Sequence, residues 1–148
     1  MSAIPVPETL RVVIVLPDVR VSTEEARRLL PASVPHRDAV FNVSRAVLTV
    51  QALQWGDFDL LARVMQDRLH EPFRRVLIPA FDDVVAAGKA AGAAAVVISG
   101  SGPALAAFAA QGHDEVARAM TRAFQQAGIH ARAWTLNVAG GVDITRAP

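Results

Sequence analysis

The sequence predicts a single α+β domain in which helices cover one face of an antiparallel sheet. The expected elements follow the order strand, helices, strand, strand, helix, strand, which is the order of a split β-α-β, or ferredoxin-like, arrangement. Two of the strands, at 93–98 and 104–109, are separated only by a short glycine-rich loop and form a β-loop-β unit with both arms buried. The length of 148 residues suits one domain with its own core.

The first strand and the first helix have clear local signals. A run of β-branched residues from Leu10 to Leu16 ends at Pro17 and predicts a buried strand. The segment from Ser22 to Glu25 has capping-box spacing, in which the serine side chain accepts from the amide three residues on and the glutamate reaches back. We therefore expect a helix that continues through Leu30 and stops at Pro31.

Two further segments predict a helical hairpin inserted into this arrangement. In the first, Asp38 is the candidate N-cap, and apolar residues recur at helical spacing to about Trp55. Gly56 is placed to end this helix and Asp57 to cap the next one. The apolar stripe of the second helix extends to Leu69, before a proline.

The rest of the chain is expected to supply three strands and two helices. The segment HEPFRRVLIP, 70–79, is interpreted as a loop that leads to a helix over about 80–91, closed by Gly92. The run ALAAFA at 104–109 has helical propensity, but its length and its position between a proline and a glycine favour a strand. A helix over 114–126 and a strand over 131–138 follow, with 142–145 as a candidate extension of that strand.

Composition excludes several classes of function. The absence of cysteine rules out disulfides, thiolate catalysis and thiolate-bound metals. A net charge of +1, with no aromatic platform among the arginines, gives no support for a nucleic acid partner. The segment 90–113 carries no Asp, Glu, Lys or Arg, but its centre is Ser-Gly-Ser-Gly-Pro, which argues against a membrane helix. The N-terminal residues show no signal-peptide pattern, so we expect a cytoplasmic protein.

The segment VVISGSGPALAAF, 96–108, is the main candidate for a binding loop. An otherwise apolar run is interrupted by five residues, Ser99, Gly100, Ser101, Gly102 and Pro103. A dinucleotide loop is excluded because a leucine replaces its third glycine, and a Walker loop because no lysine lies near. Two glycines permit positive φ and close approach, so successive amides can face an anion or a polar ligand atom. A tight connection between packed strands is the other interpretation, and the pattern leaves both open.

The charged residues assign no chemistry by themselves. Arginine greatly outnumbers lysine, so an anion site in this chain is expected to use bidentate guanidinium groups. Arg27 follows two glutamates on a short helix, where a solvated salt bridge is the ordinary explanation, whereas Arg74 lies in an expected loop, where binding residues are more frequent. The four histidines lack metal-ligand spacing, and no serine has a nucleophile-elbow frame. We therefore predict no catalytic residue and no metal ligand.

Four stretches resemble the C-terminal half of homoserine kinases, members of the GHMP kinase family. They are LPDVRVSTEEARRLLP at 16–31, DAVFN at 38–42, LHEPFRRVLIPAF at 69–81 and AVVISGSGPALAAF at 95–108. The last resembles the family's third motif, while the EAR and EPFR elements are typical of homoserine kinases within it. The resemblance implies a GHMP kinase C-terminal domain over 10–148 and an N-terminal tail over 1–9.

This resemblance implies transfer of the γ-phosphoryl group of ATP to the side-chain hydroxyl of L-homoserine, a step towards threonine. It implies substrate contacts at four positions, Thr23, Arg27, Arg74 and Gly100, with the two arginines converging on the α-carboxylate. The family's first two motifs, which bind substrate and the ATP phosphates, do not occur in this sequence. We therefore expect ATP and Mg2+ in the complete enzyme, no tight binding of either here, and no turnover without an N-terminal kinase domain.

Two other functions stay open on the sequence alone. One is a non-catalytic module that binds a small amino acid through Arg27 and Arg74. The other is a different GHMP kinase, whose substrate would lack the α-carboxylate and give two arginines no reason to converge. A domain without its partner would leave an apolar contact face uncovered, so a homodimer is also expected.

Overall fold

The computed structural model describes residues 5–139, and its elements follow the predicted order. The sheet contains β1 (Arg11–Pro17), β2 (Ala95–Ile98), β3 (Leu105–Phe108) and β4 (Ala131–Asn137). The helices are α1 (Thr23–Arg28), α2 (His36–Trp55), α3 (Phe58–Val64), α4 (Glu71–Arg74), α5 (Phe81–Ala90) and α6 (His113–Gln126). A 3-10 turn, Arg75–Leu77, follows α4 directly.

The four strands form one antiparallel sheet in the order β2-β3-β1-β4. Val13 in β1 lies opposite Ala107 in β3 on one side and opposite Thr135 in β4 on the other. This is the strand order of a split β-α-β sheet, so the predicted fold class is confirmed. The strand assignment at 104–109 is also confirmed, because β3 pairs with both of its neighbours along its whole length.

The two faces of the sheet pack against different helices. One face contributes Val13 and Leu105 to a core with α5 and α6, and Phe124 in α6 is completely buried there. Phe108 points to the opposite face of β3 from Ala107, because neighbouring side chains alternate along a strand. It packs against a cluster formed by the α2–α3 hairpin, namely Ala52, Leu61 and Val64. The predicted hairpin therefore exists, and it contacts the face that α5 and α6 leave open.

The helix starts agree with the predicted caps at two of three positions. The Ser22 hydroxyl accepts from the Glu25 amide at 3.5 Å, and the Asp57 carboxylate accepts from the Leu60 amide at 2.8 Å. The prediction of Asp38 as an N-cap is wrong, because α2 begins at His36 and the N-cap position belongs to Pro35, three residues before Asp38. The fixed φ of proline suits a helix entry.

The segment between α3 and α5 differs most from the prediction. Helix α3 ends at Val64 and does not reach Leu69, because the chain turns there and the Asp67 side chain binds the amides that follow. The segment 70–79, predicted as a loop, contains α4 and the 3-10 turn. Arg74 thus lies on a helical turn.

The remaining boundaries agree to within one or two residues. Helix α1 ends at Arg28, α6 begins at His113 and β4 ends at Asn137. The predicted extension of that strand at 142–145 lies outside the described residues. No helix within 5–139 is both long and apolar enough to cross a membrane, and the uncharged segment 90–113 contains β2, the glycine-rich loop and β3.

Candidate functional site

Arg74 joins α4 to two other parts of the chain. Its Nε donates to the carbonyl of Ala26 in α1 at 3.4 Å, and one terminal nitrogen donates to the carbonyl of Gly100 at 3.2 Å. The residue is half-buried. These two bonds use two of the five N–H donors of a guanidinium group, so three donors are available for a ligand.

The other two predicted contacts, Thr23 and Arg27, lie on α1 beside this junction. They are four residues apart, so they share one face of the helix, and both are exposed. It is the neighbouring Arg28 that pairs with Glu24, at 3.2 Å. Within residues 5–139, the Arg27 side chain makes no hydrogen bond or ion pair. The structure therefore brings Arg74 to Gly100 and to the α1 backbone, while Arg27 is the residue after Ala26 on α1 and its side chain is exposed to solvent.

The glycine-rich loop, Ser99 to Pro103, lies in the connection between β2 and β3. The Ser99 amide donates to the Ala104 carbonyl at 2.8 Å, and the Gly102 amide donates to the Ser99 carbonyl at 3.2 Å. Both glycines have positive φ, +64° at Gly100 and +84° at Gly102. The amides of Gly100 and Ser101 donate to no group in the described part of the chain. Part of the loop therefore closes a tight turn, and part of it presents unpaired amides.

The two glycines serve different purposes. A Cβ at Gly102 would lie 3.2 Å from Cδ1 of Ile78, whereas a Cβ at Gly100 would meet no atom within 4 Å. A side chain at Gly102 is thus disfavoured by its φ and by a tight contact with Ile78, while Gly100 faces open space. The interpretation of the loop as a tight connection between packed strands therefore applies to Gly102. At Gly100 there is space for a ligand to approach the backbone.

We expect Gly102→Ala to lower the free energy of unfolding by about 1–3 kcal/mol. A left-handed conformation costs an alanine about 1–2 kcal/mol, and the added methyl group would press on Ile78. Gly100→Ala is the matched control, since it has a similar φ and no steric conflict. Urea denaturation of both variants measures the difference, and an equal loss in the two would show that the Ile78 contact contributes nothing.

A cavity of about 570 Å3 opens beside Arg74, between α2, the segment after α3 and the end of β2. Both Arg74 and Gly100 line it, together with polar residues that include Asn42, Arg45, Asp67, His70 and Glu71. A larger cavity of about 800 Å3 lies beside Ser22 and Pro103. Because Arg74 and Gly100 meet at the smaller cavity, it is the better candidate for a binding site. Thr23 and Arg27 line neither cavity, so the structure places only two of the four predicted contacts there.

Asp67 organises one wall of that cavity. Its Oδ1 accepts from Asn42 Nδ2 at 2.6 Å and from the Leu69 amide at 2.7 Å, and its Oδ2 accepts from the His70 and Glu71 amides at 3.0 and 2.8 Å. Burial by itself would raise the pKa of Asp67, but these hydrogen bonds and the nearby His70 hold the pKa below its usual value. The carboxylate therefore ties α2 to the start of α4.

Glu71 lies on the same wall, and its carboxylate contacts the strand. Its Oε2 accepts from the Ile98 amide at 3.2 Å, at the end of β2. Burial raises the pKa of Glu71, and the charge of Asp67 raises it further, while the hydrogen bond from Ile98 works in the opposite direction. A hydrogen-bonded, half-buried carboxylate thus lies one helical turn before Arg74.

Sequence reasoning did not identify Asp67, Glu71 or Arg45 as site residues. The EPFR motif contains both Glu71 and Arg74, but treating it as a loop hid the fact that residues three apart share a helical face. Arg45 lies 4.7 Å above the Phe41 ring, and its buried Nε has no hydrogen-bond partner in the described residues. Arg45 lies on α2 at a position where the sequence pattern fits an exposed side chain and a core-facing side chain equally well. The sequence therefore contains no signal that marks Arg45 as a site residue.

Metal-binding chemistry is not visible in the described residues. Within 5–139, no three or more His, Asp or Glu side chains are grouped so that they could hold a metal ion. Asp67 and Glu71 are near one another, but both carboxylates accept hydrogen bonds from amides.

Comparison with known proteins connects this geometry to a family. The family model for the C-terminal part of GHMP kinases matches residues 49–128. The chain is 44% identical over 137 residues to a homoserine kinase of Persephonella marina and 43% identical over 132 residues to one of Pyrococcus abyssi. Those alignments cover 93% and 89% of this chain but 46% and 45% of the two enzymes. The chain thus spans less than half the length of the curated relatives it matches.

Solved structures show the same relation. A crystal structure of homoserine kinase from Cytophaga hutchinsonii superposes with a TM-score of 0.86 at 36% identity, over 92% of this chain and 44% of that one. The mevalonate kinase of L. major shares the fold, with a TM-score of 0.51 at 20% identity over 79% of this chain and 38% of that one. Since the family model matches more than half of the sequence, this chain belongs to the GHMP kinase family, as a C-terminal domain of that family.

Proposed function

We propose that this chain forms the amino-acid-binding half of a homoserine kinase. The reaction transfers the γ-phosphoryl group of ATP to the side-chain hydroxyl of L-homoserine, releasing ADP and the hydroxyl proton, and it belongs to threonine biosynthesis. The observation that carries the proposal is Arg74, which is held between α1 and Gly100 with three N–H donors available. The homoserine kinases that resemble this chain over about nine-tenths of its length support the choice of substrate.

In this proposal the chain's own residues position the substrate. Arg74 and Arg27 bind the α-carboxylate, because two guanidinium groups fix both its position and its orientation. Thr23, one turn before Arg27, contributes its hydroxyl, and Gly100 lets the substrate approach the loop backbone. Phosphoryl transfer depends mainly on such positioning and on charge stabilisation, so these contacts act on the rate by orienting the hydroxyl.

ATP and Mg2+ do not fit the residues that the structure describes. No grouped carboxylates for a metal ion occur within 5–139, and the glycine-rich loop has no lysine for the phosphates. Bound to the complete enzyme, the nucleotide and its metal supply the phosphoryl group and neutralise its charge. We propose that an N-terminal kinase domain holds both, that the GHMP C-terminal domain comprises 10–148 after a tail at 1–9, and that the reaction takes place in the cytoplasm.

Apolar side chains on the surface support a partner domain. On α2, Val43 and Val47 are exposed by 68% and 65%, and on the sheet face opposite to α6, Trp134 and Leu136 in β4 are exposed by 41% and 48%. Large apolar side chains grouped in this way indicate contact surfaces. We propose that the N-terminal domain covers them, and that the chain by itself associates into a homodimer.

Reconstitution with a separate N-terminal half tests this proposal. The purified chain is assayed for ATP-dependent phosphorylation of L-homoserine alone and after mixing with the N-terminal half of a close relative. We expect activity only in the mixture. Activity of the chain alone would contradict the expectation that this chain has no nucleotide site. If the two halves bind one another but the mixture has no kinase activity, the kinase assignment is contradicted and a non-catalytic amino-acid-binding module is favoured.

A further inference from the structure

We propose that Glu71 is a positioning residue that fixes the Arg74 guanidinium against the glycine-rich loop by attaching α4 to the end of β2. The inference deepens the proposed function and rests on it for the role of Arg74 as a carboxylate ligand. Neither the motif comparison nor the resemblance assigns a role to Glu71.

Helix α4 has little apolar burial of its own, since its one large apolar side chain, Phe73, is only half-buried. It comprises four residues, Glu71–Arg74, and none of them is buried. A single helical turn is not stable by itself in water, because nucleation fixes several backbone dihedrals for one hydrogen bond. Ile78 anchors the chain in the core after the 3-10 turn, and Asp67 holds the N-terminal end of α4. The hydrogen bonds from α4 itself to the end of β2 are those of Glu71 and Arg74.

Glu71 supplies the attachment to the sheet. Its carboxylate accepts from the Ile98 amide, and Arg74, on the same turn, donates to the Gly100 carbonyl two residues further along. The two contacts form a two-point attachment between α4 and the end of β2. If the Glu71 contact is removed, the only remaining hydrogen bond between α4 and the end of β2 in the described residues is the exposed one from Arg74 to Gly100, which contributes little by itself. The long bond of 3.4 Å from Arg74 to Ala26 connects α4 to α1 and does not fix it to the sheet.

The acceptor, and not the negative charge, performs this role. A glutamine at position 71 presents an amide oxygen with the same reach and accepts from Ile98 in the same way. An alanine leaves the Ile98 amide without its partner and removes the attachment. Glu71→Gln and Glu71→Ala therefore form a matched pair that separates positioning from charge.

A ligand-free measurement tests the attachment directly. The Nε–H signal of Arg74, identified by its disappearance in Arg74→Lys, reports by NMR whether the side chain is ordered on the Ala26 carbonyl. We expect Glu71→Ala to broaden this signal or move it to the position of a solvated arginine, and Glu71→Gln to leave it in place. An unchanged signal in Glu71→Ala overturns the inference, whatever the protein binds.

Ligand affinity distinguishes positioning of Arg74 from a merely structural role of Glu71. A merely structural role would not weaken the binding of one ligand and spare the other. The ligands are L-homoserine and 3-amino-1-propanol, which lacks the carboxylate, and their dissociation constants are measured by calorimetry. We expect Glu71→Ala to weaken homoserine binding about tenfold and not to affect the analogue, and the double variant with Arg74→Ala to bind no worse than Arg74→Ala alone. Additive losses overturn the inference. Equal affinities of the unmodified chain for the two ligands would instead overturn the proposed function, and the NMR result then decides on Glu71 by itself.

Discussion

Arg74→Ala is expected to lower the affinity for L-homoserine by about 2–4 kcal/mol, or roughly 30- to 1000-fold. The guanidinium is held at the cavity by bonds to Ala26 and Gly100, and the substrate carboxylate would occupy its remaining donors. Removing it takes away a charge-assisted, bidentate contact to the carboxylate. Calorimetric titration of the chain with L-homoserine measures the effect.

Arg75→Ala is the matched control. This neighbouring arginine is exposed and pairs with Asp82 at 3.1 Å, away from the cavity, so its removal should leave homoserine affinity unchanged. Arg74→Lys should recover only part of the affinity, because a single ammonium group cannot make the bidentate contact. Unaltered affinity in Arg74→Ala would exclude the carboxylate contact and with it the choice of substrate.

Asp67→Asn is expected to lower the free energy of unfolding by about 2–3 kcal/mol at neutral pH. Each oxygen of this carboxylate accepts two hydrogen bonds. An asparagine replaces one oxygen with an NH2 group, which cannot accept and which faces two donors. Urea denaturation measures the loss, and Asp59→Asn is the control, because Asp59 is an exposed acid on α3 whose side chain accepts no hydrogen bond in the described residues.

The pH dependence of this loss has a definite sign. The pKa of Asp67 is lowered in the folded protein, so its contribution is present above the unfolded value of 3.8 and disappears as pH falls through the folded value. The difference between the unmodified chain and Asp67→Asn should therefore be constant at neutral pH and shrink as pH falls below 3.8. The pKa of Glu71 is raised, so its own contribution has the opposite sign and is lost as pH rises. A difference that stays constant with pH would contradict the role assigned to the Asp67 carboxylate.

Sequence reasoning succeeded where the signal is local. The capping residues Ser22 and Asp57 each lie three residues before the amide that they accept from, and a spacing of that kind is readable in the chain itself. The strand at 104–109 was also predictable, because an apolar run of that length between a proline and a glycine suits a buried strand better than a helix. The glycine-rich loop is a candidate site for another local reason, since two glycines that interrupt an apolar run permit positive φ and a close approach to the backbone.

The start of α2 and the end of α3, which precedes α4, could not be predicted in this way. Asp38 has the right side chain for an N-cap, but the position is decided by Pro35 and by the packing of α2. The end of α3 is set by Asp67, whose partners include Asn42, 25 residues earlier in the chain. Contacts over such distances leave no periodic pattern.

By itself, the sequence determined the order of the elements, the ferredoxin-like sheet and the family resemblance, since these depend on hydrophobic periodicity and on short motifs. Only the tertiary structure decided where Arg74 points and what holds it. Ala26, Gly100 and Ile98 come from separate parts of the chain, and folding alone brings them to the same turn. A four-residue helix without a buried side chain has no local preference strong enough to place itself, so its position follows from contacts that exist only in the folded protein.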